Sequence, residues 1–362
     1  MDMIIADESP STISDKIKDM LFAKSAAKVD SFRPEVAANT FNEPEVDDEL
    51  IPNKRVARLK NLLYLNQLSK DEINQILDLS DHFLNSNEQH EFENLLKNQS
   101  IASLFFEPST RTSASFQVAA KKLGAETILI DENKSSATKG ETVLDTIRNL
   151  EAMGVRGFII RTGDTNLFGP LIDDVGSDTH LISAGESSVS HPTQGLLDLL
   201  TIRQEKGSFE GLKVVIMGDI SHSRVARSLT EGLKIMNTGN VTLISPDEFT
   251  PDMANFPNTQ FEEDPKQGLC DADVIVTLRV QKERIESDES SLSLEEYSNE
   301  YQLSQEKLAL SKPDAIVMHP GPMNRGIEIS NEVADGKQSV ILKQVENGVA
   351  VRMAVLSEIL KQ

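Results

Sequence analysis

The 362-residue sequence predicts an α/β protein made of two doubly wound halves, each a parallel sheet flanked by helices. Three observations carry this prediction. Short apolar runs alternate with stretches of helical period. Each run ends in a polar or glycine-bearing loop. The alternation then restarts after a leucine-rich helix near residue 192, as it would if a second sheet began there.

Taken in order, a helix is predicted over 69–86, followed by the buried-strand run Ile101-Ala102-Ser103-Leu104-Phe105-Phe106. Phe116, Ala119, Ala120 and Leu123 recur at i, i+3, i+4 and i+7, which gives a helix over 112–124. Thr127–Ile130, Gly157–Arg161 and His180–Ser183 are the next strands. Pro192 follows His191 at a predicted helix start, and Leu196, Leu197, Leu199 and Leu200 continue that helix. The second set of strands is Lys213–Met217, Val241–Ile244, Asp273–Thr277 and Ala315–Met318, with helical segments between. Ligands of such sheets sit beyond the carboxyl ends of the strands.

Residues 1–55 differ from this regular part. They hold 12 acidic and 7 basic residues, too many acids for an organelle transit peptide, and they lack the apolar core of a signal peptide. They read as an acidic, flexible extension. Within it, Thr12 and Asp15 have capping-box spacing, and Ile13, Ile17, Met20 and Leu21 share a face. A transient helix and a docking helix over 11–28 are both compatible with that pattern.

Composition narrows the function. A net charge of −22 disfavours nucleic acid and anionic membrane as partners. No apolar run approaches the ~20 residues that span a bilayer. The single cysteine, Cys270, excludes an internal disulfide framework, and no Cys/His set has zinc spacing, so no metal or other cofactor is expected. A reducing cytoplasm is the simplest location. An anionic ligand would have to be attracted by a local basic focus.

Such a focus is visible in the motifs. Ser109, Thr110, Arg111 and Thr112 stand where a strand turns into a helix. Helix N–H groups and the positive end of the helix dipole attract a phosphate there, and a guanidinium adds a bidentate grip. A helix cap alone needs one oxygen and no arginine. The Walker loop is excluded, since it is glycine-rich and carries a lysine before its Ser/Thr. Gly218-Asp219-Ile220-Ser221-His222-Ser223-Arg224 lies where a dinucleotide loop would, but lacks the second and third glycines of that fingerprint. Arg161 ends a strand, and singly such an arginine is an ordinary surface cation. His191 singly suits a structural role. Together, Arg111, Arg161, Arg224, Arg279 and Arg284 each fall at or just past a strand's carboxyl end. Five such cations suit a ligand with several negative charges, and group transfer from a phosphorylated donor to an anionic acceptor.

The runs Glu107-Pro108-Ser109-Thr110-Arg111-Thr112, Lys139-Gly140-Glu141-Thr142 and His191-Pro192-Thr193-Gln194 resemble the carbamoyltransferase family in order and spacing. Gly218-Asp219 through Arg224, Arg279-Val280-Gln281-Lys282-Glu283-Arg284 and His319-Pro320-Gly321-Pro322 resemble its aspartate-using branch. The resemblance covers Val56–Gln362. It implies carbamoyl transfer from carbamoyl phosphate to L-aspartate, an early step of pyrimidine biosynthesis. It also implies a carbamoyl phosphate domain over 56–195, an aspartate domain over 196–340, and a C-terminal helix, 341–362, returning to the first domain.

By the same resemblance, Ser109, Thr110, Arg111 and Thr112 hold the phosphate. Arg161, His191, Gln194 and the backbone at Gly321 and Pro322 contact the carbamoyl group. Arg224, Arg279 and Gln281 take the carboxylates of aspartate. Ser135 and Lys139 reach into the neighbouring subunit's site in a homotrimer, Lys139 toward aspartate. Glu107 bridges to Arg224 and Arg284 as the domains close. Arg111, Thr112 and His191 act on the oxyanion. Regulatory or dihydroorotase-like partner chains are open possibilities within this family.

One residue departs from the pattern: Ser113 stands where many relatives carry a second arginine. The ornithine-using branch typically has a cysteine after the late histidine, where this chain has Pro320, and a cationic acceptor would be repelled by Arg279 and Arg284. A silent homologue would have lost Arg111, Lys139 or His191, and all three are present.

Overall fold

A computed structural model describes residues 59–86, 89–131, 140–280 and 292–361 of the chain. The expected helix over 11–28, Ser135, Lys139, Gln281 and Arg284 lie outside the described residues.

Among the described residues, nine strands form two wholly parallel sheets. The first has the order β2-β1-β3-β4, with β1 Ser100–Phe105, β2 Glu126–Asp131, β3 Gly157–Thr162 and β4 His180–Glu186. The second has the order β7-β6-β5-β8-β9, with β5 Lys213–Met217, β6 Asn240–Ile244, β7 Gln260–Glu262, β8 Val274–Thr277 and β9 Ile316–Met318. Parallel neighbours need crossover connections, so helices cover both faces and the strand centres are buried on both sides. The continuous burial of Val214–Met217 and Val274–Thr277 shows this directly.

Among the helices of seven residues or more, α1 is Lys70–Asn85, α2 Thr110–Lys122, α3 Val143–Ala152 and α4 Phe168–Asp174. They are followed by α5 Pro192–Lys206, α6 Arg224–Ile235, α7 Leu294–Tyr301 and α8 Ile341–Leu360. Ser69 starts α1 with a capping box: its hydroxyl accepts from the Glu72 N–H at 3.2 Å, and its own N–H donates to the Glu72 carboxylate at 2.7 Å. Gly124 ends the turn after α2 at φ +81°, where a Cβ would lie 1.8 Å from the Glu93 carbonyl oxygen, so only glycine fits.

Helix α5 is buried from Pro192 to Ile202 without a polar face. It packs against α1, β4, α6 and α8, which explains why a leucine-rich stretch with little amphipathic period forms here. Helix α8 packs on α1, α2 and α5, so the chain's last helix returns to helices of its first half.

The sequence expectations differ from the structure at element ends and at one strand. Helix α2 begins at Thr110 and not at 112, because the hydroxyl residues form its first turn. Strand β7 was not foreseen. At three residues, with an exposed end and only one apolar side chain, it is too short for its period to register.

Candidate active site

The parallel register assembles the site. Phe105 at the end of β1 pairs with Arg161 on β3, and the Phe106 N–H donates to the Arg161 carbonyl at 2.8 Å. The loop Glu107–Ser109 therefore starts beside Arg161. The carboxyl ends of β5, β8 and β9 add Arg224, Arg279 and the turn after His319. All of them border one cleft of about 760 Å³.

Ser109 occupies the N-cap position of α2, yet its side chain makes no capping bond. The N–H groups of the first turn have no helical carbonyl to bind, so they and the hydroxyls remain available to an anion. Thr112 is buried at the cleft wall, while Thr110 and Arg111 are exposed. Arg111 lies against Gly321, where a Cβ would come within 2.9 Å of the guanidinium carbon. Its side chain makes no hydrogen bond to another described residue, and partial burial lowers its pKa. The unusual Ser113 turns its hydroxyl to Gln117, accepting at 3.0 Å.

Arg161 is not a surface cation. Its guanidinium is largely buried, donates to the Ala184 carbonyl at 3.2 Å and faces Glu107 at 3.4 Å. Burial and the neighbouring Arg224 bring its pKa down to about 10, against the pull of Glu107. Arg224 donates to Glu107 at 2.8 Å and to the Ser187 carbonyl at 2.8 Å. Glu107 thus bridges Arg224 and Arg161. Arg161 is the partner that the sequence did not suggest.

His191 occupies the N-cap position of α5, without a side-chain capping bond, and is buried; its N–H donates to the Ser228 hydroxyl at 2.9 Å. Burial, then Arg161, Arg352 and Arg224, push its pKa well below the ordinary histidine value. The ring is therefore neutral at pH 7. Its Nδ1 is buried with no hydrogen-bond partner among the described residues, and the residue lines the cleft.

Gln194, one turn along α5, donates its amide to Asp198 at 3.0 Å. Asp198 and Gln344 were not singled out in the sequence. The only signal for Asp198 was an acid one turn beyond Gln194 in a leucine-rich helix. Burial pushes its carboxyl up to about 7, opposed by two amide donors and Arg352. His222 also lines the cleft, with Nδ1 2.7 Å from the buried Asp219.

Residues 60–204 match the family described as "Aspartate/ornithine carbamoyltransferase, carbamoyl-P binding domain", and residues 210–359 match "Aspartate/ornithine carbamoyltransferase, Asp/Orn binding domain". The chain belongs to the aspartate/ornithine carbamoyltransferase family. The catalytic subunit of aspartate carbamoyltransferase from Stenotrophomonas maltophilia is 46% identical over 306 residues, covering 84% of this chain and 96% of that protein. The corresponding subunit from Xanthomonas euvesicatoria is 46% identical over 305 residues, with the same coverage. Among solved structures, the Trypanosoma cruzi aspartate transcarbamoylase with carbamoyl phosphate gives a TM-score of 0.78 at 27% identity. It covers 86% of this chain and 99% of that one. Ornithine carbamoyltransferase from Pyrococcus furiosus gives 0.76 at 29% identity, covering 84% and 99%. The fold of a carbamoyltransferase is thus shared by both branches, and the acceptor must be read from the cleft and the sequence relatives.

Proposed function

We infer that this carbamoyltransferase moves the carbamoyl group of carbamoyl phosphate to the amine of L-aspartate, giving N-carbamoyl-L-aspartate and phosphate for pyrimidine biosynthesis. The observation that carries this reading is the convergence of Arg111, Arg161, Arg224 and Arg279 on one cleft, from the carboxyl ends of both sheets. The four guanidiniums match a phosphate and a dicarboxylic acceptor and oppose a cationic one. In the aspartate branch the residues before Arg224 and after His319 have the form found here, and Cys270 is an exposed residue outside the cleft lining.

Ser109, Thr110, Arg111, Thr112 and the first N–H groups of α2 hold the phosphate. The neutral aspartate amine attacks the carbonyl carbon, and the carbonyl oxygen becomes an oxyanion. Arg111, Thr112 and Nε2–H of the neutral His191 donate to it. The carbon–oxygen bond to phosphate breaks, and the departing phosphate takes the amine proton. Arg224, Arg279 and Gln281 orient the two carboxylates, which supplies the proximity contribution.

The reading includes a carbamoyl phosphate domain over 56–195 joined by 341–362, and an aspartate domain over 196–340. It also includes a homotrimer in which Ser135 and Lys139 complete the neighbouring site, and closure in which Arg284 joins Glu107. Among the described residues no helix is long and apolar enough to cross a membrane. Radiolabelled carbamoyl phosphate tests the acceptor. Product is expected with L-aspartate and not with L-ornithine, and the reverse result would overturn the reading. Light scattering tests the trimer, with an expected mass three times that of the 39.9 kDa chain.

Gly321→Ala is expected to raise KM for carbamoyl phosphate at least tenfold. Gly321 holds φ +66°, which costs a non-glycine residue about 1 kcal/mol. The added Cβ would also displace the Arg111 guanidinium from its place. Steady-state kinetics would show it, and an unchanged KM would place Arg111 elsewhere in the working enzyme.

A further inference from the structure

We propose that Asp198 is a positioning residue for the carbamoyl end of the donor: it turns the Gln194 amide so that its oxygen faces the cleft, and through Gln344 it ties that amide to the His319–Gly321 turn. This rests on the reading of the cleft as the carbamoyl phosphate site.

The amide orientations follow from a chain of contacts that can be traced from either end. The His319 N–H can only donate, and it donates to the Gln344 side-chain oxygen at 2.9 Å. The Gln344 NH2 group must then point the other way, and it reaches Asp198 Oδ1 at 2.8 Å. The same Oδ1 receives the Gln194 NH2 at 3.0 Å. In its ionised form, populated above its pKa of about 7, the carboxylate only accepts, and both amides present nitrogen to it. Gln194 Oε1 is left toward the cleft as an acceptor, which is what a carbamoyl NH2 requires. A phosphate or a carboxylate has no use for it.

The other arm of the chain fixes the backbone turn. His319 Nδ1 accepts from the Gly321 N–H at 2.7 Å, and Nε2 lies 3.2 Å from Glu328. Asp198, His319, Glu328 and Gln344 are all buried, so each lost contact would leave a polar group without water. Gln194 and Gly321 come from different halves of the chain, and Asp198 is the group their supports share. The three helix and loop segments involved are therefore set by one carboxylate, which touches no substrate atom itself.

Specificity between carbamoyl phosphate and acetyl phosphate tests the role. Acetyl phosphate has a methyl group where carbamoyl phosphate has NH2, so it does not use the Gln194 oxygen. Asp198→Leu, similar in size but without an acceptor, is expected to raise KM for carbamoyl phosphate at least tenfold. The Ki of acetyl phosphate as a competitor should stay within about twofold. Asp198→Asn keeps an oxygen at that position and is expected to retain KM within about threefold. An unchanged KM in the leucine variant would overturn the proposal, as would a parallel rise in KM and Ki. If the leucine variant melts, Gln344→Met reads the same split, with KM rising severalfold and Ki unchanged; parallel changes there overturn the proposal too. Wild-type turnover with L-aspartate tests the proposed function separately, so the two readings fail on different measurements.

Discussion

Arg111→Ala is expected to lower kcat/KM for carbamoyl transfer by about 10³-fold or more, on the order of 4 kcal/mol of transition-state stabilisation. Among the described residues no other cation lies in the first turn of α2, where the proposed function puts the donor's phosphate and its carbonyl oxygen. The guanidinium offers a fork of donors to the phosphate, and such charge-assisted bonds are roughly twice as strong as neutral ones. A lysine keeps the charge but loses the fork, so Arg111→Lys should fall between wild type and alanine. Structural damage is not the expected cause, because the Arg111 side chain is exposed and makes no hydrogen bond to another described residue. Circular dichroism and melting should match wild type. An alanine variant within tenfold of wild-type kcat/KM would remove Arg111 from the mechanism.

His191→Ala is expected to lower kcat by about 10²- to 10³-fold, the range seen when one oxyanion donor is removed. The expected pH dependence separates a donor from a base. The folded His191 pKa lies well below the ordinary value, so the ring is neutral at pH 7 and above and donates throughout that range. The variant's kcat profile should keep its shape and lose its height. Loss of an ionisation limb in the variant would instead make His191 a titrating base. Stability changes in the matching direction. The unfolded chain takes up a proton on this histidine below about pH 6.5 and the folded chain does not, so stability falls as pH drops through that value and is fully present above it.

These expectations come from residues of unequal visibility in the sequence. The strands were legible because parallel sheets bury both faces, which makes runs such as Val214–Met217 apolar without alternation. The hydroxyl-and-arginine turn was legible because helix termini concentrate such residues for reasons local to the chain. What the local pattern does not give is the state of those side chains. Ser109 sits where a capping residue would and does not cap. Arg161, an ordinary strand-end cation by its neighbours in sequence, is buried because the register sets it beside Glu107 and Arg224.

Sequence alone pointed to the kind of chemistry: an anion-binding turn, five cations at strand ends, an oxyanion role for His191 by family resemblance, and the order of motifs that marks a carbamoyltransferase. Each of these depends on residue type and short spacing. Tertiary structure decided which groups hold the others in place. Asp198 and Gln344 are 146 positions apart and meet only because α8 folds back onto α5. The Gln194 amide has no preferred direction in isolation; the ionised Asp198 carboxylate, accepting from both amides, gives it one. Hydrogen-bond direction in a dry interior depends on what surrounds both partners, and no local window of sequence contains that information.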